Sequence, residues 1–392
     1  FGSCSCGSRT RATQTTMAVE KAMEKGKSGS GSEVAASPRH WPIFIVLTTI
    51  ICSVVMIVEL LENSRGPWSS GTDCQHRVGL ACFASLSVNP LLGPSGKVLL
   101  RMGGKLGPLI TDDKEVWRLV AAMYLHAGLI HLVMNMVVLV QVGRSLERLH
   151  GTIKVAIVYV VSGVFGVIMG AIFDPHALSV GASGAIFGLL GASLGSLVQN
   201  WGLHARPICD LLQLLLISGI QLVFGTIPML DNFSHFFGFT MGILCSLSLF
   251  ILKRQKRRTG RILATKCHQR VVQILAAVSV PVVLLISLSV LFGRRDGHDL
   301  CPWCEKISCI PFPWGCDESK PAGSVDCWWK CDAAVDPRCS VAWEWTNSTA
   351  NGTAVVQCPA AGGAVHNVTV HPIDVSNLGP SSAAPLCRDQ CS

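Results

Sequence analysis

A handful of polar side chains sit inside stretches that are otherwise apolar. His126, His131 and Asn135 fall in Tyr124-Leu-His126-Ala-Gly-Leu-Ile-His131-Leu-Val-Met-Asn135. Ser183 lies in Gly181-Ala-Ser183-Gly184-Ala-Ile-Phe187-Gly188, and His235 in Asp231-Asn-Phe-Ser-His235-Phe-Phe-Gly238-Phe-Thr-Met-Gly242. A serine hydroxyl is a weak nucleophile that needs an adjacent base, most often histidine, to take its proton. Ser183 and His235 supply that pair if their segments meet. On one helix, His131 and Asn135 lie about 40° apart, one turn above the other, and so can act together as donors to a developing oxyanion beside the Ser183 N–H. His126 lies roughly 140° round from His131 on the same wheel, so it need not serve the same purpose. Gly181, Gly184 and Gly188 on one segment and Gly238 and Gly242 on the other lack the side chains that keep helices apart, so close approach is built in.

The elements that must position these groups follow from composition. Only 14% of the 392 residues are charged and 49% are hydrophobic. That is too few charges for a water-soluble surface, so disordered, collagen-like and ordinary cytosolic classes are excluded and an all-α polytopic membrane protein is implied. Apolar runs near 43–61, 119–141, 154–173, 181–199, 208–227, 232–252 and 271–292 are each close to the ~20 residues a helix needs to cross the hydrocarbon. Ser183 and His235 open two of these spans from the same side, at similar depth. Cys52, Cys209 and Cys245, also within spans, read as small hydrophobes.

Orientation comes from Lys and Arg. The cluster Lys253, Arg254, Lys256, Arg257, Arg258 and Arg261 contrasts with the segments 174–180 and 228–231, which carry none. The basic side is cytosolic by the positive-inside rule, and seven spans then place the C-terminus on the opposite side. The same cluster reads as a stop signal touching anionic lipid, not as a nucleic-acid site. The resulting organisation is a disordered cytosolic arm at 1–42, a six-helix core at 43–252 with a partly interfacial first loop at 64–118, a basic cytosolic loop at 253–270, a seventh span at 271–292 and a tail at 293–392. The chain opens on Phe1, Met17 is the expected start, and nothing before residue 40 has a signal-peptide core, so membrane entry rests on the first span.

Cysteine usage agrees with this topology. Cys301, Cys304, Cys309, Cys316, Cys327, Cys331, Cys339, Cys358, Cys387 and Cys391 crowd the tail, alongside the glycosylation sequons at Asn347, Asn351 and Asn367. Both features belong to an oxidising lumen or the cell exterior. A disulfide-stapled module that binds a luminal partner is the leading reading of the tail; a protective domain and a zinc site at Cys301-Pro-Trp-Cys304 rank below it. Cys74 and Cys82 are a candidate pair in the first loop. No metal or cofactor is expected at the Ser–His site.

These residues together resemble the rhomboid family of intramembrane serine proteases. His126-x4-His131-x3-Asn135 resembles the family's second-helix motif, Gly181-x-Ser183-Gly184 its nucleophile motif and His235-x2-Gly238-x3-Gly242 its base-bearing helix. Trp117-Arg118 resembles the Trp-Arg signature of the first loop, and Asn89-Pro-Leu-Leu-Gly-Pro-Ser95 resembles eukaryotic secretory-pathway members, especially plant and green-algal ones. The resemblance implies a Ser183/His235 dyad without a third acid, an oxyanion hole of His131 and Asn135, and a network role for His126. Phe187 stands where the family often has a base-stacking Tyr, and Ser234 where Ala is common. The implied activity is cleavage of single-span membrane proteins within or beside the bilayer, near the luminal face and the fifth and sixth spans. The implied location is a multi-pass position in a secretory-pathway membrane. The rival expectation is a non-catalytic rhomboid-like protein that binds membrane clients for trafficking.

Overall fold

A computed structural model of the chain describes residues 32–34, 40–65, 71–86, 88–227, 229–252, 254–256, 262–293, 340–344, 351–359 and 365–374. Strand β1 (Ser32–Val34) pairs antiparallel with β4 (Arg254–Lys256), linking the N-terminal arm to the basic loop. Helix α1 (Ile43–Arg65) is the first span. Its opening N–H groups, at Phe44 and Ile45, donate to the two carboxylate oxygens of Glu147 at 2.9 and 3.0 Å. The buried Glu147 carboxyl group thus satisfies donors at the start of a helix that has no intrahelical partner for them.

The first loop is ordered by short elements. A Cys74–Cys82 disulfide closes a hairpin of β2 (His76–Val78) and β3 (Ala81–Phe83). Asn63, at the end of α1, donates to Asp73 O and Cys82 O and accepts from the Ser95 N–H, so one buried amide gathers the whole loop. Helices α2 (Gly96–Met102), α3 (Gly107–Thr111) and α4 (Arg118–Ala121) follow.

The second span corrects the sequence expectation. It starts not near 119 but at α5 (Leu129–Val138), passes through a π turn at Leu139–Gly143 and ends in α6 (Arg144–His150). Residues 122–128 form a loop, and the first loop captures the backbone at their C-terminal end. Leu129 N and Ile130 N donate to Leu92 O and Leu91 O at 2.9 and 3.3 Å. A methyl at Gly128 would lie 2.6 Å from Leu91 C and 2.8 Å from Leu92 C, an approach that only glycine permits. His126 is therefore outside the helix, and the wheel argument that separated it from His131 does not apply; their rings lie 5.2 Å apart.

Helices α7 (Thr152–Phe173), α8 (Ser183–Gln199), α9 (Pro207–Phe224), α10 (Asn232–Leu249) and α11 (Cys267–Gly293) complete the bundle. Among the described residues, five helices are long and apolar enough to cross a membrane, and α8 is a shorter apolar helix at the centre. Helices α7, α8 and α10 form the tight middle, α11 packs on α10 and α7, and α9 leans mainly on α8. Ile208, Leu212, Leu216 and Val223 of α9 are exposed, the surface of a helix solvated by lipid. The protein is thus an all-α polytopic membrane protein. Past α11, β5 (Ser340–Glu344), β6 (Asn351–Pro359) and β7 (Val365–Asp374) form an antiparallel sheet in sequence order. Asn351 and Asn367 fall on β6 and β7 and Cys358 on β6, whereas Asn347 and the other tail cysteines lie outside the described residues.

Candidate active site

Ser183 is the first residue of α8 and His235 lies in the first turn of α10. Glycine contacts set how close the two helices come. Gly184 faces the Ser234 carbonyl, with a methyl there 3.3 Å from that oxygen, and Gly238 and Gly242 press their Cα atoms against the backbone of Gly184 and Gly188. At this spacing Ser183 Oγ and His235 Nε2 are 2.7 Å apart, with both residues buried. With the serine donating, Nε2 is the free lone pair of a neutral imidazole, the arrangement a base needs to take the hydroxyl proton.

Two features orient His235. Phe187, one turn beyond Ser183, stacks on the imidazole with centroids 4.5 Å apart and planes 16° from parallel. The first turn of α10 is also pinned. Asp231 caps it, its carboxylate accepting from the Ser234 N–H at 2.9 Å, while Ser234 Oγ donates to Gly166 O of α7 at 2.9 Å. Ser234 thereby ties α10 to α7. His235 Nδ1 has no hydrogen-bond partner among the described residues.

Donors converge on the same place. His131 and Asn135 are buried on one face of α5, and His131 Nε2 and Asn135 Nδ2 have no partner among the described residues. A methyl at Gly181 would sit 3.0 Å from His131 Nε2 and 3.4 Å from Ser183 Oγ, so the glycine leaves open the space between donor and hydroxyl. Gly181 has φ +137°, a conformation L side chains rarely adopt. The first-turn N–H groups of α8 receive no side-chain cap from Ala182, and a helix N-terminus leaves such groups without intrahelical partners. Buried donors without acceptors at a helix N-terminus are suited to receive an anion formed at the serine.

The remaining sequence candidates lie around this centre. His126 is fully buried beside His131, with neither ring nitrogen bonded among the described residues. Arg118 is buried and serves the first loop. Its guanidinium donates to Leu100 O at 2.6 Å and Gly104 O at 2.9 Å, pairs with Glu115 at 2.5 Å and stacks on half-exposed Trp117 at 4.9 Å. Neither Trp117 nor Arg118 touches the Ser–His pair.

Sequence reasoning missed a buried ion pair. Lys105 Nζ lies 3.3 Å from Asp231 Oδ2 and donates to Asp174 O at 2.9 Å, near the end of α7. Ser179 Oγ donates to the same carboxylate at 3.2 Å. The lysine thus joins the negative end of α7 to the cap of the base-bearing helix. Burial pushes the Asp231 carboxyl up, but Lys105, the Ser234 N–H and His235 outweigh it and hold the group below the ordinary carboxylate value. The available signals were a Lys between glycine- and leucine-rich segments, in Gly104-Lys105-Leu106-Gly107, and an Asp directly before an apolar run, the usual place of a cap.

Fold and site define a class: a helical membrane protein with a serine–histidine pair on adjacent helix N-termini. Comparison with known proteins narrows it. The chain matches the Rhomboid domain family over residues 113–252. It is 34% identical to RHOMBOID-like protein 6, mitochondrial, of Arabidopsis thaliana over 308 residues, covering 75% of this chain and 98% of the relative. RHOMBOID-like protein 2 of the same plant is 32% identical over 315 residues, 76% and 98% of the two chains. A third, Inactive RHOMBOID-like protein 8, is 31% identical over 294 residues, 70% and 82%. The chain belongs to the rhomboid family.

Proposed function

We propose that this rhomboid is an intramembrane serine endopeptidase that uses Ser183 as nucleophile and His235 as base. The reading rests on the 2.7 Å Ser183 Oγ–His235 Nε2 contact inside the apolar bundle. Ser183 attacks a backbone carbonyl while His235 takes its proton. His131, Asn135 and the α8 N–H groups bind the oxyanion, and His235 returns the proton to the departing amine. Water then hydrolyses the acyl-enzyme. No step calls for a metal or cofactor.

The substrate is the transmembrane segment of a single-span protein. A helical peptide bond shields its carbonyl, so the segment must unwind locally before attack. Loosely packed α9 is the side from which it enters. The N-terminus is cytosolic, the tail is luminal and glycosylated, and the protein resides in a secretory-pathway membrane, consistent with the basic loop and the clustered tail cysteines. The tail engages a luminal partner.

The client-binding alternative draws on relatives named inactive, including Inactive RHOMBOID-like protein 8. The hydrogen-bond distance between Ser183 and His235 favours catalysis. The two readings separate in proteoliposomes carrying a single-span substrate. Wild-type protein should cleave it and label with a fluorophosphonate, and Ser183→Ala and His235→Ala should each abolish cleavage. A folded wild type that neither cleaves nor labels, or a Ser183→Ala form that still labels, overturns the assignment.

A further inference from the structure

The first span carries an acid that this chemistry does not use. Glu59 is fully buried on α1, and an ionisable group within a span is costly enough to require a purpose. Its Oε1 accepts the backbone N–H of His126 at 3.0 Å. The next residue, Ala127, donates its N–H to His131 Nδ1 at 3.3 Å. Ala127 O in turn accepts from Asn89 Nδ2 at 2.5 Å. Asn89 is itself fully buried and fixed, donating also to Pro94 O at 2.8 Å and accepting from the Leu91 N–H at 2.9 Å. The two-residue turn His126–Ala127 is therefore gripped from the first span by a carboxyl and from the first loop by an amide.

That grip has a chemical consequence. A neutral imidazole whose Nδ1 accepts a hydrogen bond carries its proton on Nε2. In His131 this is the nitrogen beside Gly181 and Ser183, and it has no partner among the described residues. Were the turn to slip, the Ala127 N–H would leave Nδ1, the tautomers would mix, and a lone pair would face the oxyanion in part of the population.

We propose that Glu59 and Asn89 are positioning residues that hold the His126–Ala127 turn and thereby keep His131 in the tautomer whose Nε2–H faces the Ser183 hydroxyl. The inference rests on the reading of His131 as an oxyanion donor. It goes further in assigning the donor's orientation to groups on two other elements. The backbone bonds from Leu129 and Ile130 to Leu92 and Leu91 secure the segment independently, so loss of Glu59 releases the turn without dismantling the loop.

The test uses the full chain in phosphatidylcholine vesicles with a single-span substrate. Glu59→Leu should lower kcat roughly 10- to 100-fold with KM unchanged, the scale of a weakened oxyanion donor. Glu59→Gln keeps an acceptor oxygen and should restore kcat to within about threefold of wild type. Nitrogen-15 histidine NMR on the same samples, assigned by difference from His131→Gln, should show His131 protonated at Nε2 in wild type and Glu59→Gln, and mixed in Glu59→Leu. Glu59→Leu that is folded with wild-type kcat and tautomer, or Glu59→Gln as impaired as Glu59→Leu, overturns the proposal. So does Nδ1 protonation of His131 in wild type, which decides the matter even if the leucine variant fails to fold. The tautomer is read without turnover, so an inactive wild type would refute the protease reading while leaving this one decided on its own result.

Discussion

Alanine at Gly238 should impair the proposed cleavage activity more than it destabilises the protein. Gly238 lies on α10 three residues beyond His235 and faces Gly184, the neighbour of Ser183 on α8. An added methyl would lie 3.0 Å from Gly184 C and 3.3 Å from Gly184 Cα, with the carbonyl oxygen closer still. These are backbone atoms and cannot swing aside, so the helices must part by roughly 1 Å to reach ordinary van der Waals contact. The Ser183–His235 separation of 2.7 Å would then open to about 3.7 Å, beyond hydrogen-bond range. Losing the base should cost 10²- to 10⁴-fold in kcat. Overpacking costs about 1–3 kcal/mol, partly offset by up to ~1 kcal/mol of helix propensity gained over glycine. Cleavage of a reconstituted single-span substrate, the rate of fluorophosphonate labelling and thermal unfolding in detergent measure these effects separately. Gly293→Ala at the end of α11 is the control, since a methyl there meets nothing within 4 Å; it should leave all three readouts intact or raise stability slightly. Gly238→Ala protein that is folded yet labels and cleaves at wild-type rates would refute the claim that glycine contacts set the dyad distance.

Other consequences can be checked in the same assays. Phe187→Leu keeps apolar bulk but removes the stack on His235, and kcat should fall roughly 3- to 10-fold, while Phe187→Tyr should stay near wild type; equal rates for all three would mean the stack does not orient the base. Asp231→Asn should cost about 3–5 kcal/mol of stability at neutral pH by leaving Lys105 buried without its anion. Because the Asp231 carboxyl titrates below its ordinary value, its contribution is complete above ~4 and fades as pH falls through the folded value. Unfolding scans should therefore show the gap between wild type and Asp231→Asn shrinking on acidification; a gap that widens contradicts the assignment. Replacing Cys74 and Cys82 together by serine frees a loop of sequence separation 8 and should lower stability by about 2–3 kcal/mol, seen as a reduced melting temperature under non-reducing conditions only.

The meeting of Ser183 and His235 was legible in the sequence because lipid makes such polar groups conspicuous. A Ser, two His and an Asn in runs that must otherwise be apolar leave few alternatives, and the glycines beside Ser183 and His235 announce that the two helices touch. The start of the second span was not legible. Residues 122–128 are apolar enough to pass for helix, and long-range bonds hold them as a loop: Leu129 and Ile130 to Leu92 and Leu91, Glu59 to the His126 N–H and Asn89 to Ala127 O. Hydropathy records the burial of a segment but not which backbone group satisfies it. Lys105 and Asp231 were hidden for a related reason: neither lies inside an apolar span, and their meeting depends on how the first loop folds back over the end of α7.

The unbonded Nδ1 of His235 links these observations. In a three-residue triad an acid on that nitrogen fixes the ring's tautomer and direction. Here direction comes from packing: Phe187 against the ring, Asp231 and Lys105 at the cap, and Ser234 held by Gly166. Around the oxyanion the same division holds, with His131 set by a backbone N–H that Glu59 and Asn89 keep in place. A site oriented by helix contacts should be sensitive at its glycines and caps, positions that carry no reactive group. Substitutions there should lower kcat while leaving serine and histidine chemically intact, and this is why the Gly238 experiment bears on mechanism as well as on fold.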